Sequence, residues 1–460
     1  MSRDASLYPL RQTQREPHDN TLWNWAQNAP IGTHQQVKRP ANEAALQQLL
    51  RDTHNTVRVI GKTYSPGRML AVHPDDLLLD LSAFTGLLRS DAHSVTFAGA
   101  TPLEQIYSTL TDMDRMLASS PGVISVQTLA GAMATGTHGQ GLQQSSIADE
   151  AEQIRLVLSD GSIRELSRGD DDFAAALVSL GTLGIVTEVT LRTQPFRIFT
   201  CHKNAVSADN LESDLLRWNE DYALSKAWWF VDDNIMHVWN AHQASYDEIQ
   251  RYEQSGREVV EHADEGDDSL NDTIEQTLEH MHRDTQIHGK GGKQFRTVTR
   301  FRDFTDVTGD IYQLFCRGIA VPQINVEIGV PLARTPAIIS KIKRWYAENR
   351  PHMHYPIILR CTGASSAWLS PAFDQPTCFF GFVVYYADDG SLSEAGLHFL
   401  SEVEKLLAEE GGRPHWGKYY DASLYHWRDL YPHWDRFRAL REQLDPHHRF
   451  SNDYTAALFK

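Results

Sequence analysis

The segment Leu129-Ala-Gly-Ala-Met-Ala-Thr-Gly-Thr-His-Gly-Gln-Gly141 packs four glycines into a stretch with almost no side-chain bulk. Glycine lets the backbone approach a ligand closely and adopt dihedrals closed to other residues. Consecutive N–H groups in such a stretch form a cradle for a phosphate or for the edge of an electron-rich ring. The segment therefore lies against a cofactor or forms a glycine-rich turn between strands. A second segment favours the cofactor. Val57-Arg-Val-Ile60 reads as a short buried strand, and Gly61-Lys-Thr-Tyr-Ser-Pro-Gly67 follows it directly, a position typical of phosphate-binding turns. Gly61-Lys62-Thr63 resembles the end of a P-loop, but Thr56 stands where that motif needs its first glycine. An ATPase is thus excluded.

The chain has 460 residues, 41% of them apolar, with a formal net charge of −17. That length predicts two or three domains. The negative balance argues against a general binder of nucleic acid or anionic membrane, which would need clustered positive charge. Cys201, Cys316, Cys361 and Cys378 form no C-x-x-C pair, so reduced thiols in a reducing compartment are expected. The N-terminus lacks the apolar core of a signal peptide, and no apolar run is long enough to span a bilayer. These features predict a soluble, cytoplasmic protein. The histidine clusters His280-Met-His282, His352-Met-His354 and His447-His448 lack the companion ligands of a zinc site, and no metal is expected.

The expected order of elements is α+β. Asn42 reads as the N-cap of an amphipathic helix over 43–50. Strands are expected at 57–60, 75–81 and 94–99, with a helix over 103–113. A hairpin turning at Ser159-Asp160-Gly161 follows, then a long alternating strand over 184–192. Residues 245–285 are polar and read as a solvated, mainly helical excursion. Strands resume at 324–330, 356–361 and 378–386, with helices over 336–348 and 393–409.

Six motifs in order resemble the FAD-dependent sugar-lactone and alditol oxidases of the vanillyl-alcohol oxidase superfamily. They are Trp23-Asn-Trp25 with Lys38-Arg-Pro40, the loop Gly61–Gly67, the segment Gly131–Gly141, Ser179-Leu-Gly-Thr-Leu-Gly-Ile-Val186, His415-Trp-Gly-Lys418, and Asp445-Pro446 with Arg449-Phe-Ser-Asn452. The resemblance implies a two-domain PCMH-type FAD-binding fold whose cap domain is an antiparallel sheet with helices. It places the FAD-binding domain at 1–196, the cap or substrate domain at 197–425, and a segment returning to the FAD domain at 426–460. It also implies cofactor contacts from Gly61, Lys62, Thr63, Tyr64, Ser65, Gly67, Gly131, Thr135, Gly136, Thr137, His138, Gly139, Gly184, Ile185, Val186 and Asn452.

Two departures from the family pattern matter. Members that attach FAD covalently carry His where this chain has Tyr64, so the FAD is expected to be non-covalent. The sugar-oxidising relatives carry Glu-x-Arg in the substrate strand. This chain reads Ile358-Leu-Arg360, which leaves Glu327 on a neighbouring strand as the available carboxylate. The expected reaction is oxidation of a CH–OH group on a sugar-derived or polyhydroxylated small molecule by hydride transfer to flavin N5. Oxygen or another acceptor then takes the electrons. Lys418 is expected to stabilise charge at N1 and C2=O, with Arg360 sharing that role or orienting the substrate. His415 and Glu327 are candidate proton acceptors, and His138 is read as a hydrogen bonder. Two alternatives are the same chemistry on a less polar biosynthetic intermediate and a flavin-binding protein without turnover.

Overall fold

The computed structural model describes residues 7–13, 19–262, 305–316, 322–351, 353, 355–387 and 389–460. The 263–285 part of the polar excursion, with His280 and His282, lies outside them, as do His352 and His354. The described start of that excursion is the helix Tyr246–Gln254 followed by the strand Val260–His262.

The helix Glu43–Asp52 starts where the Asn42 side chain accepts from Ala45 N, and it buries Leu46 and Leu50. Four residues later the strand Val57–Ile60 begins. It pairs in parallel with Leu77–Asp80, which pairs in parallel with Val37–Lys38. A five-stranded antiparallel sheet lies beside this one. Its order is Ile163–Ser167, Ala151–Val157, Ile185–Arg192, Ser94–Ala98, Leu87–Ser90. The hairpin turn forms as expected: Gly161 takes φ +80°, and Asp160 accepts from Ser162 N at 2.8 Å. Along Ile185–Arg192 the residues Ile185, Thr187, Val189 and Leu191 point inward, the two-residue period of a half-buried strand.

The second half is built on a nine-stranded antiparallel sheet. Its order is Val260–His262, Asp306–Gly309, Phe199–Ser207, Ile235–Gln243, Leu224–Phe230, Ile357–Thr362, Thr377–Tyr385, Gln323–Pro331, Arg413–Pro414. Register divides its residues between two faces. Val326, Ile328, Phe380, Phe382 and Leu359 point to one, where the helix Glu394–Glu409 packs through Phe399 against Phe382. The other face carries two rows across the strands. One row is Lys203, Trp239, Lys226, Arg360, Phe379; the next is Ala205, His237, Trp228, Ile358, Gly381, Glu327. The polar residues of the site therefore share the face opposite the helix Glu394–Glu409.

The chain then returns to its first half. Asp445 accepts from Arg449 N and Phe450 N in a tight turn. Arg449 donates to the carbonyls of Leu50 and Ser159, and its own carbonyl accepts from Val57 N at 2.7 Å. Phe450 joins the core of Leu46, Leu50, Val57 and Leu79.

The small-residue segment opens in a helix that the sequence reading did not assign: Leu129–Ala134, with Thr128 accepting from Gly131 N at 3.3 Å. Leu129, Ala132 and Met133 are its buried residues, the i, i+3, i+4 spacing of one helix face. That period is hidden in so short and glycine-rich a run.

Asn42→Ala should lower the unfolding free energy by about 1 kcal/mol, and Asn42→Asp should leave it near wild type. Urea denaturation followed by far-UV circular dichroism measures both.

Candidate active site

A groove runs between the three-stranded parallel sheet and the five-stranded antiparallel sheet. Arg58, Ile60 and Gly61–Ser65 form one wall; Gly99, Gln127, Thr128, Gly131 and Thr135 form the floor; Ser179–Gly181 and Gly184–Val186 close it. Glycine is required where these walls approach one another. A Cβ on Gly99 would sit 2.4 Å from the Val186 carbonyl oxygen, and one on Gly61 would sit 2.8 Å from Thr128 Oγ1. Of the expected cofactor residues, Gly61, Lys62, Thr63, Tyr64, Ser65, Gly131, Thr135, Gly184, Ile185 and Val186 line the groove.

Gly67, Gly136, Thr137, His138, Gly139 and Asn452 are not among its lining residues. Each makes structural contacts of its own. Gly67 lies against Ala29, and Gly136 takes φ +73° after the short helix. Thr137 holds the Gln127 amide oxygen at 3.0 Å. A Cβ on Gly139 would sit 2.5 Å from the Ser120 carbonyl oxygen. Asn452 donates to the carbonyls of Arg68 and Ala71, fastening the closing segment beneath the first loop. Tyr64 stacks against Trp25 with ring centroids 4.8 Å apart.

The groove fits FAD. Peptide N–H groups, threonine hydroxyls and Lys62 along the two glycine turns suit a pyrophosphate. Ile60, Met69, Leu70, Leu81, Met133 and Ile185 offer apolar surface for the ring systems. Arg58 is a residue the sequence reading missed. It is buried, and it donates to the carbonyls of Met69, Leu180, Gly181 and Phe450. Burial and the charge of Arg441 pull it down to about 10. Its signal was a charged residue inside a four-residue apolar strand.

At the Thr135 end of the groove lie the residues expected to do chemistry. A Cβ on Gly417 would be 3.3 Å from Thr135 Oγ1, so the turn His415–Lys418 meets the groove there. The same turn hangs from the strand that carries Glu327, because His415 N donates to the Glu327 carbonyl and Tyr419 N to the Asn325 carbonyl. Glu327 pairs in register with Gly381, and Arg360 with Phe379, two residues along the same strand. Arg360 donates to Glu327 Oε1 and to the His138 carbonyl. Ile358 instead packs against Trp228 and Phe230 in a small apolar cluster. The carboxylate facing Arg360 therefore comes from Glu327.

His138 is stacked on Phe379, and its Nδ1 lies 3.1 Å from the Gly139 carbonyl. Its Nε2 makes no hydrogen bond among the described residues and faces Glu327 Oε1 at 3.6 Å. His415 Nδ1 accepts from Gly417 N, so the proton of its neutral ring is on Nε2. Burial pushes the Glu327 carboxyl up, but Arg360, His138, His415 and Lys418 together hold it below the usual carboxylate range. Burial, with Arg360, keeps His138 well below the ordinary histidine range. Burial lowers His415 to about 4 against the pull of Glu327. Half-buried Lys418 is lowered by burial and Arg360, with Glu327 opposing.

Ligand atoms of His138, Glu327 and His415 lie within 4.8 Å of one another. The set does not suit a cation, because Arg360 already neutralises the carboxylate and His415 Nδ1 is engaged. The result is a largely buried cluster with one anion, two cations and two neutral imidazoles. It is equipped to hold a hydroxyl-bearing carbon and to accept a proton.

Arg360→Met should cost about 3–5 kcal/mol of stability, since it leaves Glu327 buried without its partner. Adding Glu327→Gln should recover part of that loss, as thermal unfolding of the single and double variants will show. A second expectation concerns acid. His415 is depressed in the folded state from its ordinary 6.5 to about 4, so the unfolded chain binds the extra proton between those values. Its contribution is complete above about pH 6.5 and is lost as the pH falls toward 4. His415→Asn should flatten that part of the stability profile.

Comparisons with known proteins agree with this geometry. Residues 34–167 match the model of an FAD binding domain, and residues 189–458 match that of D-arabinono-1,4-lactone oxidase. The chain is 28% identical to L-gulono-1,4-lactone dehydrogenase of Mycobacterium tuberculosis over 91% of its length and 94% of that protein's. It is 24% identical to alditol oxidase of a Streptomyces species, covering 94% of this chain and 97% of the other. Among solved structures, cholesterol oxidase from B. sterolicum superposes with a TM-score of 0.71 at 14% identity, covering 98% of this chain and all of the other; that likeness is one of fold. The family model spans the nine-stranded sheet, the Glu327–Arg360 pair and the closing segment together, and the chain belongs to the D-arabinono-1,4-lactone oxidase family of FAD-linked oxidoreductases.

Proposed function

We propose that the chain oxidises a CH–OH group of a sugar-derived or polyhydroxylated small molecule, an aldonolactone or alditol being the first candidates. The observation that carries this reading is the convergence of Arg360, Glu327, His415 and Lys418 at the Thr135 end of the cofactor groove. Residues 1–196 and 426–460 hold the cofactor in this reading, and 197–425 supply the substrate face. Bound FAD supplies the hydride acceptor, and oxygen or another acceptor removes the electrons.

The chain's own groups do the rest. Arg360, fixed by Glu327 and the His138 carbonyl, donates to the substrate oxygen and orients the carbon that bears it. The hydroxyl proton needs an acceptor inside a site that excludes water. Glu327 and neutral His415 are placed for this, and both are weak bases. A weak base suffices because the hydroxyl becomes strongly acidic as the carbon loses hydride. Lys418 sits on the turn nearest the groove, where a fixed cation stabilises negative charge as it develops. Such preorganised charge is effective because burial keeps the local dielectric low.

With Tyr64 in place of the linking imidazole, the FAD in this reading is held without a covalent link. No helix among the described residues is long and apolar enough to cross a membrane, in keeping with a cytoplasmic enzyme of small molecules.

Two measurements test this. Acid precipitation should release the yellow chromophore into the supernatant; flavin retained in the pellet would refute the non-covalent reading. Anaerobic mixing with aldonolactones and alditols should bleach the flavin band. Lys418→Met should slow that bleaching by about 100-fold or more while keeping the oxidised spectrum, and absence of bleaching with every CH–OH donor would remove the assignment.

A further inference from the structure

The segment Ser119–Gly122 belongs to no helix or strand, yet it lies between Gly139 and Arg360. Side chains hold its carbonyls. Tyr107 Oη donates to Ser119 O at 2.6 Å, Cys316 Sγ to Pro121 O at 3.5 Å, and Lys226 Nζ to Gly122 O at 3.2 Å. Ser120 packs on Gly139. Gly122 packs on the catalytic-site arginine so tightly that a Cβ there would be 1.5 Å from Arg360 NH1. Lys226 stands in register beside Arg360 on the neighbouring strand, on the same face, with its ammonium 4.8 Å over the Trp228 ring. It is buried to 5% exposure. Nothing in the six sequence motifs marked Lys226 or Gly122.

We propose that Lys226 is a positioning residue for the oxidation: by holding the Gly122 carbonyl it fixes the backbone wall against which the Arg360 guanidinium lies. This deepens the reading of Arg360 as the group that orients the substrate oxygen, and it rests on that reading. A long cation buried at a sheet face costs desolvation that an apolar residue would avoid. The hydrogen bond to Gly122 and the ring beneath it are what the buried ammonium gains in return. The wall matters because Arg360 is held on its other sides by Glu327 and the His138 carbonyl. Displacement of Gly122 would free the guanidinium to shift, and a misplacement of about 1 Å in an orienting group costs on the order of 100-fold in rate.

The hold is pH-dependent. The groups acting on Lys226 are Arg360, Glu327, Cys316 and Cys201, each on a different element, with Trp228 and Trp239 beside it. Burial, and then the charge of Arg360, lower the ammonium to about 7, while Cys316, Glu327 and Cys201 oppose. The ammonium is the stronger donor, so the wall is held most firmly below that pH and loosens above it.

The test combines Lys226→Met, Gly122→Ala and the double variant in the FAD-loaded enzyme. Hydrogen exchange of peptides covering 117–126, read by mass spectrometry without substrate, should be faster in Lys226→Met than in wild type. With an aldonolactone, Lys226→Met should lower kcat/KM by about tenfold to a hundredfold at pH 6, with the oxidised flavin spectrum retained. That gap should narrow above pH 7. Gly122→Ala should be impaired alone, and adding Lys226→Met to it should cost less than twofold more, because both act on one wall. Unchanged exchange at 117–126, additive penalties, or a gap that does not vary with pH would each overturn the proposal. Should wild type oxidise no CH–OH donor, the proposed function fails, while the exchange comparison still decides whether Lys226 holds this segment.

Discussion

The buried guanidinium of Arg58 organises the half of the molecule that receives the cofactor. It donates to carbonyls from three places far apart in sequence: Met69 after the first glycine loop, Leu180 and Gly181 in the second glycine turn, and Phe450 near the end. Those segments form walls of the groove or brace them, and loops left to themselves would not keep a common spacing. A planar donor with several N–H groups in fixed directions can satisfy carbonyls from several segments at once, which a lysine in the same place would not do. Leu180 takes a positive φ of 54° at this point, a strained backbone that persists only where its surroundings over-determine it. The groove therefore depends on one charge placed within a short parallel sheet.

A second buried charge sets the character of the substrate side. Arg360 and Glu327 lie on different strands and reach one another diagonally across Gly381 and Phe379. A buried pair of this kind is weak evidence for stability, because desolvation offsets most of the attraction. Its consequence is chemical. Glu327 keeps Arg360 in place, Arg360 keeps Glu327 ionised, and the surrounding burial keeps His138 and His415 neutral. With Lys226 and Lys418 close by, the site carries more positive than negative charge, which favours oxygen atoms that gain electron density.

Much of this was legible in the sequence because glycine and alternation leave direct physical signatures. The turn at Ser159–Gly161, the N-cap at Asn42 and the inward residues of Ile185–Arg192 follow from local rules, and all three stand where expected. The pairing of Glu327 with Arg360 was only an option, since the register that sets Gly381 between the strands depends on neighbours distant in sequence. Gly122 and Lys226 were invisible, and Arg58 showed only as a charge within an apolar strand, for the same reason: each matters through contacts with segments distant in sequence. Gly139 and His138 carry contacts that their motif did not reveal: Gly139 makes room for Ser120, and His138 stacks on Phe379. A glycine-rich stretch signals close approach, and it does not say what approaches.

The closing turn at Asp445–Phe450 also has a consequence in time. The strand Val57–Ile60 and its helix emerge early from the ribosome, but Phe450, whose carbonyl Arg58 requires, follows 392 residues later. Until then Val57 N lacks the Arg449 carbonyl that it meets in the finished protein, and the core of Leu46, Leu50 and Leu79 lacks Phe450. The nascent first half must wait with its groove unbraced while the whole nine-stranded sheet is being synthesised. Completion of the cofactor site is thus tied to completion of the chain, so that a product stalled within the second half has neither a finished groove nor a finished substrate face.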